Sequence, residues 1–285
     1  MSVGVLHCKI KNISLIINNR FCFRPNGTRL LKQKRKMAIR VLIIQIILLI
    51  AFLILWEIAS RLEWIDSFLF SKPTSVFKLL VNYIKSNEIY RHIGISVLET
   101  LLGLCIGTFV GILIAIVLWW NKILAKIMDP FLVVGNALPK TALAPILIIW
   151  AGTGIKGITT VAISISLILT IISAYNYFMQ VEEEKIKMLQ SFQASKWQIL
   201  TKLIIPANMA NIINIIKINI GMSWVGVIVG EFIVSRYGIG YLIMYGSQVF
   251  NMDLVMMGVF VLAIISFLMY EVVNIIEKRI KRKRN

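Results

Sequence analysis

Charged residues are scarce in this chain, and acidic residues are the scarcest of them. Only 15% of the 285 residues are charged and 58% are hydrophobic, with 13 Asp and Glu against 31 Lys and Arg. Soluble domains carry about 25% charged residues, so this composition excludes an ordinary soluble protein. We therefore expect a chain whose main solvent is lipid.

Cysteine and histidine are also few. Cys8, Cys22 and Cys105 are widely spaced, which excludes both a disulfide framework and a zinc site. His7 and His92 are far apart, and the apolar segments contain no Ser/His/Asp set or paired carboxylates at a catalytic spacing. We therefore expect neither a metal site nor an enzyme.

Two glycine-containing stretches approximate nucleotide-binding motifs. Residues 152–157 (GTGIKG) match G-x-G-x-x-G, but the motif needs an acid about 20 residues further on and a surrounding βαβ unit, and both are missing. Residues 135–141 (GNALPKT) lack the second glycine of the phosphate-binding loop. We predict a turn at the first stretch, and no cofactor bound by this chain.

Six apolar runs are long enough to cross a bilayer, which needs about 20 residues of helix. They cover residues 41–60, 93–119, 130–150, 158–178, 215–234 and 254–274, and they predict an all-α protein with six transmembrane helices. In the second run, Gly103, Gly107 and Gly111 recur every four residues. This spacing predicts that another helix approaches closely there.

Proline marks two further features. Asp129 and Pro130 are typical of a helix cap and first turn, and they predict the start of the third span. Pro139 and Pro145 are expected to kink that span. Another helix is predicted after Pro73, over residues 73–84, either along the membrane surface or packed on the spans.

Basic residues are concentrated at the two ends of the chain. The runs 32–36 (KQKRK) and 278–284 (KRIKRKR) could be nucleic-acid patches, but each adjoins an apolar span, so we expect no nucleic acid. Basic flanks stay in the cytoplasm, and we predict a multi-pass protein of the cell (inner) membrane with both termini cytoplasmic. The predicted domains are a basic N-terminus at 1–40, a six-span domain at 41–275 and a basic tail at 276–285. Met37 is an alternative translation start, which would make residues 1–36 an extension.

The longest predicted cytoplasmic loop, residues 181–214, has the pattern of two helices and a turn. Glu182, Glu183 and Glu184 place acid at the positive end of the first helix. Ser195 followed by Gln198 has capping-box spacing, so a second helix should start there. We expect this helix to stop before Pro206. We expect it to expose Lys196 and Lys202 and to bury Trp197, Leu200 and Leu203. Such a hairpin is either a docking surface or only a connection between two spans.

Residues 187–206 resemble the EAA loop of ABC importer permeases, whose pattern is Glu-Ala-Ala, three residues, Gly, nine residues, Ile, one residue and Leu-Pro. Aligned on Pro206, the matching positions are Lys187, Met188 and Leu189 for Glu-Ala-Ala, Gln193 for Gly, Leu203 for Ile and Ile205 for Leu. The missing glycine matters, because this turn often needs a positive φ that glutamine adopts at a cost of about 1 kcal/mol.

The resemblance extends over about residues 70–279. Residues 129–156 (DPFLVVGNALPKTALAPILIIWAGTGIK) and 223–243 (SWVGVIVGEFIVSRYGIGYLI) are similar to the nitrate/sulfonate/taurine class of these permeases. The resemblance implies the type I importer permease fold and a homodimer around the pathway. It also implies two kinds of partner: an extracytoplasmic solute-binding protein, and a separate cytoplasmic ABC ATPase that uses ATP and Mg. The loop residues that it assigns to ATPase coupling are Lys187, Phe192, Gln193, Ala194, Ser195, Lys196, Trp197 and Pro206.

Polar residues within the spans are candidates for the translocation pathway, because ionisable groups in a bilayer are costly. Lys140 either lines the pathway of an anionic solute or extends to the cytoplasmic surface. Glu231 either lines a gate or pairs with Arg236. The residues chosen for the pathway are Lys140, Asn219, Ser223, Trp224 and Glu231, with Glu57 and Glu99 as weaker ionisable candidates.

The function expected is import of a small solute such as nitrate, a sulfonate, taurine or a thiamine-precursor pyrimidine. The alternative is an ion-coupled secondary transporter or channel. A transporter of that kind usually shows acidic or histidine relays within its spans, and this chain shows few. A structural scaffold would require neither the kinked third span nor Lys140.

Overall fold

A computed structural model describes residues 27–284, except for the side chains of residues 27–36, 38, 42, 67 and 280–284. The predicted extension at 1–36 and part of the basic tail at 276–285 therefore lie outside the described side chains. Within the described range, every regular element is a helix. The chain divides into two units, Met1–Trp64 and Ile65–Asn285.

Helix α1 (Gly27–Arg61) is the regular element of the first unit. Its part Ile39–Arg61 is long and apolar enough to cross a membrane, which agrees with the first predicted span. At its end, the Arg61 guanidinium Nε lies 2.6 Å from Oε1 of Glu57. Glu57 is therefore engaged within its own helix.

The second unit contains the remaining helices. They are α2 (Ser67–Phe70), α3 (Pro73–Lys85), α4 (Glu88–Trp120), α5 (Lys122–Ala137), α6 (Ala144–Ala151), α7 (Ile155–Met179), α8 (Glu183–Ser191), α9 (Lys196–Ile199), a π-helical turn (Leu200–Ile204), α10 (Ile205–Ala207), α11 (Met209–Val234), α12 (Ile239–Gln248) and α13 (Met252–Arg284). Helices α4, α7, α11 and α13 are long and apolar enough to cross a membrane.

The third predicted span differs from expectation. Asp129 and Pro130 do not start a helix but lie inside α5, which begins at Lys122. The true cap is Asn121, whose Oδ1 accepts hydrogen bonds from the backbone N–H groups of Ile123 and Leu124 at 3.0 and 3.1 Å. The prediction was wrong because the Asn121 cap starts the helix earlier, and proline is tolerated inside helices of membrane proteins.

The predicted kink in this span is a complete break at residues 138–143, between α5 and α6. Tight turns replace the helix there, with hydrogen bonds from the N–H groups of Ala142 and Leu143 to the carbonyls of Pro139 and Lys140 at 2.9 and 3.2 Å. Pro145 then lies at the start of α6, where its missing N–H costs nothing. The two prolines therefore end one helix and start another.

Helices α4, α7 and α11 form the centre of the second unit, each packed against the other two. A Cβ placed on Gly103 of α4 would lie 2.6 Å from the Cβ of Ala162 on α7, and one on Gly111 would lie 2.6 Å from Thr170. On α11, a Cβ on Gly226 would lie 2.5 Å from the Cα of Ala162. The close helix approach predicted from the glycine spacing is confirmed.

We expect Gly226→Ala to destabilise the helix bundle, although alanine is the better helix former. The added methyl group would overlap the backbone of Ala162, and overpacking of this kind costs about 1–3 kcal/mol. The matched control is Gly221→Ala on the same helix, where a Cβ meets nothing within 4 Å. Thermal unfolding in detergent should show a lower midpoint for Gly226→Ala alone; equal midpoints would contradict the packing.

Helix α3 confirms the helix predicted over residues 73–84 and settles how it lies. Val76 is 5% exposed and packs in one cluster with Leu254 and Met257 of α13. The helix is therefore packed on the bundle.

On the same helix, burial and the carboxylate of Glu88 raise the pKa of Tyr83, so this phenol stays neutral around pH 7.

Candidate functional site

The predicted loop hairpin begins as expected from its acidic residues. Helix α8 carries Glu183 and Glu184 in its first turn, where the helix dipole favours negative charge. After the helix, Gln193 has a φ of +57°, and the N–H of Ala194 donates to the carbonyl of Leu189 at 3.0 Å. Gln193 therefore adopts the left-handed conformation predicted for the position where the EAA pattern has glycine.

The second half of the hairpin starts with the predicted capping box. The Ser195 hydroxyl accepts from the N–H of Gln198 at 3.3 Å, and the Gln198 side chain accepts from the N–H of Ser195 at 2.8 Å. These bonds satisfy two backbone donors at the start of α9. They fix where the second helix begins.

The prediction that this helix stops before Pro206 is wrong. The helical path continues through the π-helical turn Leu200–Ile204 and α10, and it breaks only at Asn208. Proline removes a backbone donor and crowds the carbonyl one turn earlier. The wider turn accommodates this, since the N–H of Ile205 donates to the carbonyl of Leu200, five residues before it.

The hairpin has an inner and an outer side. Its inner side packs Ile199, Leu200 and Ile204 against Phe178 of α7. The outer side exposes three large apolar residues, which are Met188, Phe192 and Trp197. Phe192 is 76% exposed and Trp197 is 62% exposed. The burial predicted for Trp197 is therefore wrong: Ile199 and Leu200 occupy the inner side, and the indole lies near that of Trp120.

A second constellation, here called the clasp, holds the start of α12. It consists of His92 and Ser96 on α4 and Glu231 on α11, which accept in turn from the backbone N–H groups of residues 238, 239 and 240 at 3.0, 2.8 and 2.5 Å. The Ser96 hydroxyl also donates to Glu231 at 2.5 Å. These N–H groups would otherwise have no partner inside the helix.

Glycine is required on the other side of the clasp. Gly238 has a φ of +118°, and a Cβ at this position would overlap the Glu231 carboxyl group. A Cβ on Gly240 would lie 2.8 Å from Oε2 of Glu231. The Gly-Ile-Gly-Tyr turn therefore lets the backbone approach a buried carboxylate.

Glu231, predicted either to line a gate or to pair with Arg236, lies in the clasp. This side chain is 1% exposed and accepts hydrogen bonds from Ser96 and Gly240. Among the described residues it forms no ion pair with Arg236. Glu99, also on α4, contacts Glu231 as well. Sequence reasoning missed His92 and Ser96; the signal was their spacing with Glu99, at 92, 96 and 99 on one face of an apolar helix.

The other proposed pathway residues lie in two places: Asn219, Ser223 and Trp224 are on α11, whereas Lys140 is in the break between α5 and α6. Asn219 is buried and donates from Nδ2 to the hydroxyls of Thr108 on α4 and Thr170 on α7 at 2.8 and 2.7 Å. Ser223 and Trp224 are also buried, and Trp224 packs in one cluster with Leu104 of α4 and Met257 of α13. Lys140 instead lies partly exposed in the break between α5 and α6, where its Nζ donates to the carbonyl of Asn136 at 3.3 Å.

A family model described as "Binding-protein-dependent transport system inner membrane component" matches residues 107–283, which is more than half of the chain. The match includes the whole hairpin and the α11 and α12 part of the clasp. The chain belongs to this family. It is the membrane permease component of an ABC transporter and not an enzyme.

Relatives of the permease match most of its length. It is 24% identical over 234 residues to the taurine transport system permease protein TauC of Escherichia coli, a match that covers 80% of this chain and 85% of TauC. It is 21% identical over 225 residues to the formylaminopyrimidine transport permease protein ThiX of Halalkalibacterium halodurans, covering 79% of this chain and 89% of ThiX.

A solved structure shows the fold of the permease. The chain is similar to a chain of the MetNI methionine ABC transporter in an inward-facing conformation, with a TM-score of 0.59 and 15% identity. The match covers 69% of this chain and 96% of that chain. The permease therefore has the all-α type I ABC importer fold predicted from its sequence.

Proposed function

We propose that the permease moves a small solute across the cell membrane after an extracytoplasmic binding protein delivers it. A separate cytoplasmic ATPase drives the step by using ATP and Mg. The observation that carries this proposal is the hairpin of α8 to α10, which presents exposed aromatic residues on an ordered, hydrogen-bonded turn. Family membership makes import the expected direction.

The outer side of the hairpin is the proposed ATPase-docking surface. Phe192 and Trp197 are large apolar residues that a monomer has no reason to expose together. Exposed Lys187 and Lys196 border them. An aromatic centre with a charged rim is typical of a protein interface, and on this proposal the hairpin faces the cytoplasm, as do both termini.

The break at residues 138–143 is proposed to line the translocation pathway. Irregular backbone at membrane depth is tolerated only where other protein covers it or where it lines a water-filled cavity. Transporters use such interrupted helices to build solute sites. In a homodimer, two copies of this break would face the pathway, and each would supply Lys140.

The proposed solute is a small oxyanion or bears an oxyanionic group, as nitrate, alkanesulfonates and taurine do. Lys140 supports this class, because an ammonium group at membrane depth favours a negatively charged partner. The name of TauC includes taurine, whereas that of ThiX includes a neutral pyrimidine. The solute-binding protein would supply most of the selection among members of the class.

Reconstitution tests the proposed function. Vesicles that contain the permease should accumulate radiolabelled taurine or sulfonate only when the ATPase, ATP and Mg, and the binding protein are all present. Omission of any component should reduce uptake to the level of empty vesicles. Uptake driven by an ion gradient in the absence of the ATPase would instead establish the alternative, an ion-coupled secondary transporter or channel.

Lys140→Gln is expected to lower uptake of an anionic solute at least about tenfold, since a hydrogen bond to a charged group contributes about 1.5–3 kcal/mol. Lys140→Arg should keep most of the activity because the charge remains. The matched control is Lys156→Gln, which removes an exposed lysine from the start of α7. ATP hydrolysis stimulated by the binding protein should persist in all three variants. Normal uptake by Lys140→Gln would remove this lysine from the pathway.

A further inference from the structure

A cleft of about 910 Å³ lies beside the hairpin. Neither Phe192 nor Trp197 lines it, although Trp120 on its wall lies near Trp197. Three parts of the fold form it: the end of α4 with the start of α5, the end of α7, and the inner flank of α8 and α9. Its wall includes Trp119 and Trp120 from the first part and Phe178 and Met179 from the second. The cleft therefore opens where two membrane-spanning helices end.

The charge in the cleft is positive. Lys122, Lys187 and Lys196 line it, against the single acid Glu183. Lys187 lies 3.5 Å from Glu183, but both side chains are largely exposed, and an exposed pair of this kind contributes little. Lys122 and Lys196 have no ion pair among the described residues. Two lysines thus remain available to an anion.

The apolar part of the cleft places it at the level of the lipid headgroups. Tryptophan is enriched at the membrane–water interface, because its ring is apolar and its N–H is polar. Trp119 and Trp120 occupy the last positions of α4. Met179, the last residue of α7, is 46% exposed close by and adds an apolar floor. An acyl chain could contact this floor while its headgroup stays among the lysines.

We propose that this cleft binds the phosphate headgroup of an anionic phospholipid such as phosphatidylglycerol. The lysines neutralise the phosphate, since basic residues near a membrane surface attract anionic headgroups. The tryptophans and the floor hold the start of the acyl chains. A free phosphate ion would use the lysines alone, so the apolar wall favours the lipid as the source of the anion.

The position of this lipid gives it a consequence for transport. Its headgroup would touch both Lys122, at the start of α5, and Lys196, in the hairpin. It would therefore connect the outer surface of a span to the element proposed to dock on the ATPase. The proposal does not depend on the identity of the solute or of the ATPase, since the lipid is held by the permease alone.

Native mass spectrometry of the full-length permease, titrated with phosphatidylglycerol in detergent, tests the proposal. The double variant Lys122→Gln/Lys196→Gln should retain this lipid at least about tenfold more weakly than the unmodified permease. The matched control is Lys126→Gln/Lys202→Gln, which removes two exposed lysines from the same parts of the chain outside the cleft. The control should bind as the unmodified permease does.

Further arms identify the ligand. Phosphatidylcholine, which has no net charge, should bind weakly and equally to all three proteins, and excess inorganic phosphate should leave phosphatidylglycerol bound. Equal losses in the two double variants would show that surface charge in general, and not the cleft, holds the lipid. Displacement by inorganic phosphate at equal concentration would assign the cleft to a soluble oxyanion. Either result overturns the proposal.

Discussion

Replacement of Phe192 by glutamate is expected to abolish uptake while the permease still folds and inserts. The side chain is 76% exposed in the chain alone, so its loss removes no internal packing. At the proposed ATPase interface it would occupy a desolvated pocket, where such anchors contribute at least about 2 kcal/mol, and a buried carboxylate would add a further penalty. Uptake into vesicles and copurification of the ATPase both measure the effect.

Two further variants sharpen this test. Phe192→Leu keeps an apolar side chain and should retain most of the uptake. Ala194→Glu should also abolish uptake, but Ala194 is partly buried in the hairpin's own cluster, so that variant disturbs the loop as well as the interface. If Phe192→Glu transports normally with the ATPase bound, docking does not occur on this surface.

Replacement of Glu231 by leucine is expected to destabilise the permease by about 2–6 kcal/mol. The N–H of Gly240 and the hydroxyl of Ser96 would both lose their acceptor inside the bundle, and each buried polar group left without a partner costs about 1–3 kcal/mol. Thermal unfolding in detergent should show a clearly lower midpoint. Transport should fall with the amount of folded protein.

Glu231→Gln is the matched control for this effect. Its amide oxygen can accept from Gly240, and the Ser96 hydroxyl can reorient to accept from the amide nitrogen. We expect a loss of stability well below that of the leucine variant. Equal midpoints for the leucine variant and the unmodified permease would show that the clasp does not hold α12 in place.

Local patterns predicted local structure well. The capping box at Ser195 and Gln198 and the left-handed Gln193 depend on residues close together in the chain, and both were predicted correctly. The glycine spacing on α4 correctly predicted the close approach of another helix, because a helix surface that lacks side chains can be filled only by a neighbouring helix. The exposure of Trp197 could not be predicted this way, since it depends on which hairpin residues reach Phe178 on α7.

The clasp also could not be predicted from the sequence, but for a different reason. His92 and Ser96 meet residues 238 and 239 across 146 and 143 positions of chain, and no periodicity relates such distant segments. Glu231 was singled out because an acid in a span is unusual, which indicated importance but not a partner. The break at residues 138–143 was foreseen as a kink only, because proline positions alone do not show whether a helix resumes.

The glycine-mediated contact of α4, α7 and α11 limits how this permease can change shape. Where one backbone rests on the next with no intervening side chains, as at Gly226 and Ala162, a small slide would force atoms into overlap, and packed interfaces of this kind shift between discrete arrangements rather than deform. These three helices should therefore move together as one rigid body. On the proposed function, the change between inward-open and outward-open states would come from hinging around these three helices, at joints such as Asn208 and the break at residues 138–143.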